Sequence, residues 1–81
     1  MEWEISVIEG VEVHTSDLPG GCEVTIVAMA DGTYRGVLMQ LHRIWFRSES
    51  DTLEGAKDQL VLQYQGTRNE INHYAKKRGL A

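Results

Sequence analysis

Two short basic segments and a scatter of histidines hold the residue types that could carry chemistry. Arg43, Trp45 and Arg47 alternate along one stretch, and Lys76-Lys77-Arg78 form a second basic cluster. Arginine and tryptophan stack on bases, and clustered lysines and arginines neutralise phosphates, so these six residues are the candidate nucleic-acid contact. The candidate metal ligands are His14, His42, His73 and Cys22. They lie far apart in sequence, whereas a metal site needs three or four ligands at suitable spacing, so neither a metal nor another cofactor is expected. Catalysis finds less support still. There is no nucleophile elbow and no paired-carboxylate pocket, and Pro19-Gly20-Gly21 is followed by neither Lys-Ser/Thr nor a helix, as a phosphate-cradling loop would be. Asp17 reads as a turn-former rather than an acid catalyst, and Ser48-Glu49-Ser50-Asp51 as a capped helix start. The expectation is a chain that is not an enzyme and has no small-molecule ligand.

The 81 residues, 42 % of them hydrophobic and 25 % charged, fit one globular domain spanning 1–81. The net charge of −4 is unevenly spread. Residues 1–54 carry ten acids against three arginines, whereas residues 55–81 carry two acids against five bases. An acidic bulk argues against a general nucleic-acid binder and leaves a local basic contact. The lone Cys22 cannot form an internal disulfide, the N-terminal residues carry no positive charge and no long apolar run occurs. These features predict a cytoplasmic location with no membrane association.

The elements that must position these residues follow from periodicity. Trp3, Ile5, Val7, Val11 and Val13 alternate with Glu2, Glu4, Ser6, Glu12 and His14, which predicts a half-buried strand with a bulge or bend at Glu9-Gly10. Two β-rich runs, Cys22–Ala30 and Thr33–Leu41, flank Asp31-Gly32, a hairpin signal. A two-residue turn there places Ile26 opposite Val37, Val24 opposite Met39 and Cys22 opposite Leu41 on one apolar face. The apolar parity shifts within His42–Arg47, which suggests a bulge. From Asp51, with Glu54 as a capping-box pair, Leu53, Ala56, Leu60, Tyr64, Thr67, Ile71 and Tyr74 recur at helical spacing. One helix over 52–78 would be roughly 40 Å long. Gly66 predicts a bend, or a C-terminal half that projects.

Two segments resemble the antitoxin family called HicB. Asp17-Leu18-Pro19-Gly20-Gly21-Cys22 is similar to its Asp-Leu-Pro-Gly-Cys turn, and Asp51-Thr52-Leu53-Glu54-Gly55-Ala56 to its helix start. The resemblance implies strands followed by a helix and binding to a small RNA-cleaving toxin. In this chain the Asp31-Gly32 hairpin lies between the two segments. A meander with a C-terminal helix also looks like the second half of a double-stranded-RNA-binding domain. That family places lysines at the start of the final helix, where this chain has Ser50-Asp51-Thr52-Leu53-Glu54. As a whole the chain resembles small bacterial βββα domains.

The fold expected from these observations is α+β, a three-stranded antiparallel meander with one long C-terminal helix on one face. Its expected core is Trp3, Ile5, Val7, Val24, Ile26, Val37, Met39, Leu41, Leu53, Leu60, Tyr64 and Ile71. The opposite, open face would carry Val27, Met29, Tyr34, Leu38, Gln40 and His42, with Thr25 and Glu23, its apolar patch centred on Val27, Met29, Tyr34 and Leu38. Such an apolar surface implies an interaction domain that binds itself, as a homodimer, or another protein. The alternatives are a nucleic-acid (RNA) binding module at the Arg/Trp strand end or a HicB-like antitoxin.

Overall fold

Glu9 and Gly10 both take positive φ, 52° and 80°, and fold the first apolar run back on itself in a two-residue turn. What reads as one strand is therefore a hairpin, β1 (Glu4–Ile8) and β2 (Val11–Leu18). Pro19-Gly20-Gly21 turns the chain into β3 (Cys22–Ala28), with both glycines at positive φ. Then follow β4 (Tyr34–Gln40), β5 (Arg43–Ser50), α1 (Leu53–Gly66) and α2 (Arg68–Lys77). The computed structural model describes residues 2–79. Its five strands form one antiparallel meander in the order β1-β2-β3-β4-β5. The expected three-stranded meander with one long helix is thus corrected twice, to five strands and to two helices.

The second correction comes from Thr67. Its hydroxyl donates to the Gln63 carbonyl at 2.6 Å, and its backbone (φ −108°, ψ 12°) leaves the helical region. Back-bonding of this kind bends helices, and here it divides α1 from α2 at Thr67, one residue past Gly66. The C-terminal half packs rather than projects, because Ile71 and Ala75 are buried. The α1 cap is Thr52 rather than Asp51, its hydroxyl accepting from the Gly55 amide at 3.0 Å. Gly79, at φ 75°, follows the last turn of α2 as a C-terminal glycine should.

The β3–β4 hairpin exists, but Asp31-Gly32 is not its two-residue turn. The Met29 amide donates to the Thr33 carbonyl at 2.8 Å, so the loop is Ala30-Asp31-Gly32, with only Gly32 at positive φ. Asp31 accepts from the Thr33 hydroxyl and amide, at 2.6 and 3.0 Å, and these bonds hold its carboxyl below the usual aspartate range. A three-residue loop moves the register by one, and one residue reverses every side chain on a strand. Val24 faces Leu38 and Ile26 faces Gly36. Leu38 and Gln40 therefore lie under the helices, and Val37 and Met39 face outward.

The core joins Cys22, Val24, Ile26 and Leu38 of the sheet to Ala56, Leu60, Tyr64 and Ile71 of the helices, with Trp3, Leu18, Tyr34, Trp45, Phe46 and Leu53 at its rim. Ile5 and Val7, expected inside, are exposed, and Leu41 lies in the β4–β5 turn at φ 53°. α1 packs on β3, β4 and β5, which leaves β1 without a roof.

Gly36 permits the close approach of α1. A Cβ there would lie 2.6 Å from the Ser48 hydroxyl and 2.8 Å from Leu60 Cδ1. Gly36→Ala is expected to cost about 1–3 kcal/mol through overpacking. Gly66→Ala, where a Cβ meets nothing within 4 Å, should gain about 0.5–1 kcal/mol. Urea midpoints at unchanged slope distinguish the two; equal midpoints would reject the close-packing account.

Candidate functional site

A bulge between Leu38 and Met39 decides the fate of the Arg43–Trp45–Arg47 triplet. Leu38 pairs with Phe46 and Met39 with Ile44, so Trp45 is the extra residue of β5. Arg43 pairs with Gln40 on the helix side, while Arg47 pairs with Val37 on the open face. The bulge thus splits the triplet, keeping Arg43 and Trp45 together and sending Arg47 to the other side of the sheet.

Gln40 anchors what remains. Fully buried, its amide nitrogen donates to the Gly20 carbonyl at 2.7 Å and the Ile71 carbonyl at 3.0 Å. Its oxygen accepts from the Trp45 indole at 3.0 Å. One side chain therefore ties together the Pro-Gly-Gly turn, α2 and the bulged strand. The Tyr64 hydroxyl adds a bond to the Pro19 carbonyl at 3.3 Å.

On that anchor stands an aromatic and cationic cluster. The Arg43 guanidinium lies 4.3 Å over the Trp45 ring and 5.5 Å from that of Tyr74. Trp45 and Tyr74 meet edge to face, at 6.4 Å and 89°. Arg78 covers Tyr74 at 5.2 Å. Lys77 and His73 line the same shallow groove, of about 430 Å³. Of the six basic and aromatic residues singled out in the sequence, Arg43, Trp45, Lys77 and Arg78 thus meet here. Arg47 does not, and Lys76 is exposed in the last turn of α2 without a place in the groove. Sequence reasoning missed Tyr74 as a site residue by assigning it to the helix core face, and missed Gln40 by placing it on the outer face.

The expected interaction surface is dispersed. Val27 is half-buried on the open face, but Met29 lies in the β3–β4 loop, Tyr34 packs against the core on the helix side, and Leu38 is 0 % exposed. The open face instead carries Val13, Val27, Val37 and Met39 between charged residues, among them an Arg35–Glu49 pair at 3.1 Å. The apolar surface that is most exposed lies on β1, where Ile5, Val7 and Ile8 are 65 %, 69 % and 58 % exposed.

The histidines remain separate. His14 is buried and pairs with Glu12, while His42 and His73 are exposed. No group of three potential ligands is assembled among the described residues. Burial pushes the Cys22 thiol above its ordinary value, which disfavours the thiolate a nucleophile needs. No described helix is long and apolar enough to cross a membrane.

No family model matches the chain, and neither a curated protein nor a solved structure does.

Two outcomes check this geometry. Gln40→Leu strands the Trp45 N–H and the Gly20 carbonyl without their partner and should cost about 2–4 kcal/mol in urea unfolding; a loss below 0.5 kcal/mol, on the order of a neutral surface change, would contradict the anchoring role. Cys22 should react with an aromatic disulfide reagent only at the rate of unfolding. Reaction within seconds in native buffer would contradict its burial.

Proposed function

We propose that the chain is a non-catalytic interaction domain whose partner is a second copy of itself, docked edge to edge along β1. The observation that carries this reading is the exposure of Ile5 and Val7. Their alternation with Glu4 and Ser6 is the pattern of a strand with one covered face, yet the helices do not reach them. Apolar patterning without an internal cover points to cover from outside.

The two sheet edges differ. β5 is bulged at Trp45 and carries Arg43, Arg47 and Glu49, features that discourage edge-to-edge pairing. β1 has no proline or bulge, and a charge only at its Glu4 end. It is also self-complementary. Two antiparallel β1 strands centred on Ser6 set Ile5 of each copy opposite Val7 of the other, and Glu4 opposite Ile8 rather than opposite a second glutamate. The four apolar side chains then share one face, and the two sheets become continuous. An interface of one short strand belongs to the small, weak class, with dissociation on the order of tens of micromolar. Because each copy carries a net charge of −4, association should tighten with salt.

Light scattering on a sizing column, from 10 to about 500 µM, tests this. A mass rising from 9.1 kDa toward twice that value is expected, with Ile5→Lys and Val7→Lys each holding the chain monomeric. Both positions are exposed, so their melting temperatures should barely move. A native monomer at the highest concentration, or a dimer indifferent to both substitutions, would overturn the reading.

A further inference from the structure

We propose that the groove framed by Arg43, Trp45 and Tyr74, with Lys77 and Arg78 at its rim, binds a nucleotide unit of a single-stranded nucleic acid. The site is independent of β1.

Three observations converge on this ligand. The first is preorganisation. The Trp45 indole N–H is committed to Gln40, so what Trp45 contributes is its ring, held in one orientation from beneath. The Arg43 guanidinium carbon sits 4.3 Å from the centre of that ring, and a guanidinium held over an aromatic ring offers a planar base a partner to stack on. Tyr74, perpendicular to Trp45, offers a second ring beside it.

The second is unpaired charge. Among the described residues the ion pairs are His14–Glu12 and Arg35–Glu49. Among the described residues no carboxylate therefore lies within bonding distance of Arg43, Lys77 or Arg78, although Glu70 lines the same groove. Lys77 and Arg78 complement the negative end of α2, but that role does not account for Arg43, which belongs to β5. Three cations with no carboxylate partner among the described residues, set around two aromatic rings, match a ligand that is planar in one part and anionic in another.

The third is size and surroundings. A groove of about 430 Å³ suits a single nucleotide. The acids of the neighbouring sheet rows, Asp17 and Glu23, lie on the open face, away from this side. They confine a polyanion to the helix side, so the contact is short. An acidic peptide would use the cations but leave the stacked platform idle, which favours nucleic acid over it.

Anisotropy of fluorescein-labelled ten-residue oligo-dT and oligo-U, titrated at 20 to 200 mM salt, is the test. Binding is expected at 20 mM salt, weakening with a log–log slope of about −1.4, since each of the two phosphate contacts, Lys77 and Arg78, contributes roughly 0.7. Arg43→Ala and Tyr74→Ala should weaken binding at least fivefold, from stacking losses. Lys77→Glu, at an exposed position, should abolish it while leaving the circular dichroism spectrum intact. Arg47→Ala, on the other face, should leave it unchanged, and Val7→Lys should bind as the native chain does. No binding at 20 mM salt with 200 µM protein would overturn the proposal. So would equal loss in Arg47→Ala, or displacement of the strand by uridine monophosphate at equal affinity, which would mark a free-nucleotide site.

Discussion

The register of β4 against β3 is the constraint on which the rest of the molecule depends. It is fixed by the three-residue loop Ala30-Asp31-Gly32, whose closing bond joins Met29 to Thr33. That register puts Gly36, Leu38 and Gln40 on one side of β4. Gly36 admits α1 to close contact, Leu38 fills the core, and Gln40 supplies a buried polar group whose donors and acceptor are all satisfied. A register shifted by one residue would bury Val37, Met39 and Leu41. It would give a more apolar core, but it would leave the Pro-Gly-Gly turn, α2 and Trp45 without their common partner.

From Gln40 the consequences run outward. Trp45 is held by it, the bulge in β5 lets Trp45 turn toward it, and the same bulge sends Arg47 to the opposite face. The helices are centred over β3–β5, so the roof stops short of β1. The two proposed contact surfaces therefore sit at opposite edges of one sheet. An apolar, unblunted strand edge lies at β1, and a cationic, aromatic groove lies beside the bulged β5. Their predicted salt dependences have opposite sign, so each proposal can be tested apart from the other.

Much of this was legible in the sequence, but unevenly. The helix periodicity located Ala56, Leu60, Tyr64 and Ile71 correctly, because one face of a helix can be read from spacing alone. Gly66 marked the break to within one residue. The parity shift after His42 correctly signalled the bulge. The strand count failed twice, because Glu9, a residue seldom found at positive φ, forms the first turn with Gly10, and because Leu41, also at positive φ, opens the turn between β4 and β5. The β4 face failed because Asp-Gly serves two-residue and three-residue loops alike, and the two choices reverse the strand. That single reversal moved Leu38 from the expected open surface to the core and Gln40 from the surface to the centre of the hydrogen-bond network. The pairing of Arg43 with Trp45 came from their alternation. Tyr74 came to them only through the packing of α2, which no local pattern encodes.

The most direct test of the account is amide hydrogen exchange along β1, measured by NMR at 50 µM and at 1 mM protein. In an edge strand, alternate amides point away from the sheet and exchange freely unless another strand pairs with them. The outward-pointing amides of Glu4–Ile8 are expected to slow about three- to fourfold at the higher concentration, as the free-monomer fraction falls, while those of β3 and β4 do not change. Exchange along β1 that is the same at both concentrations would contradict it.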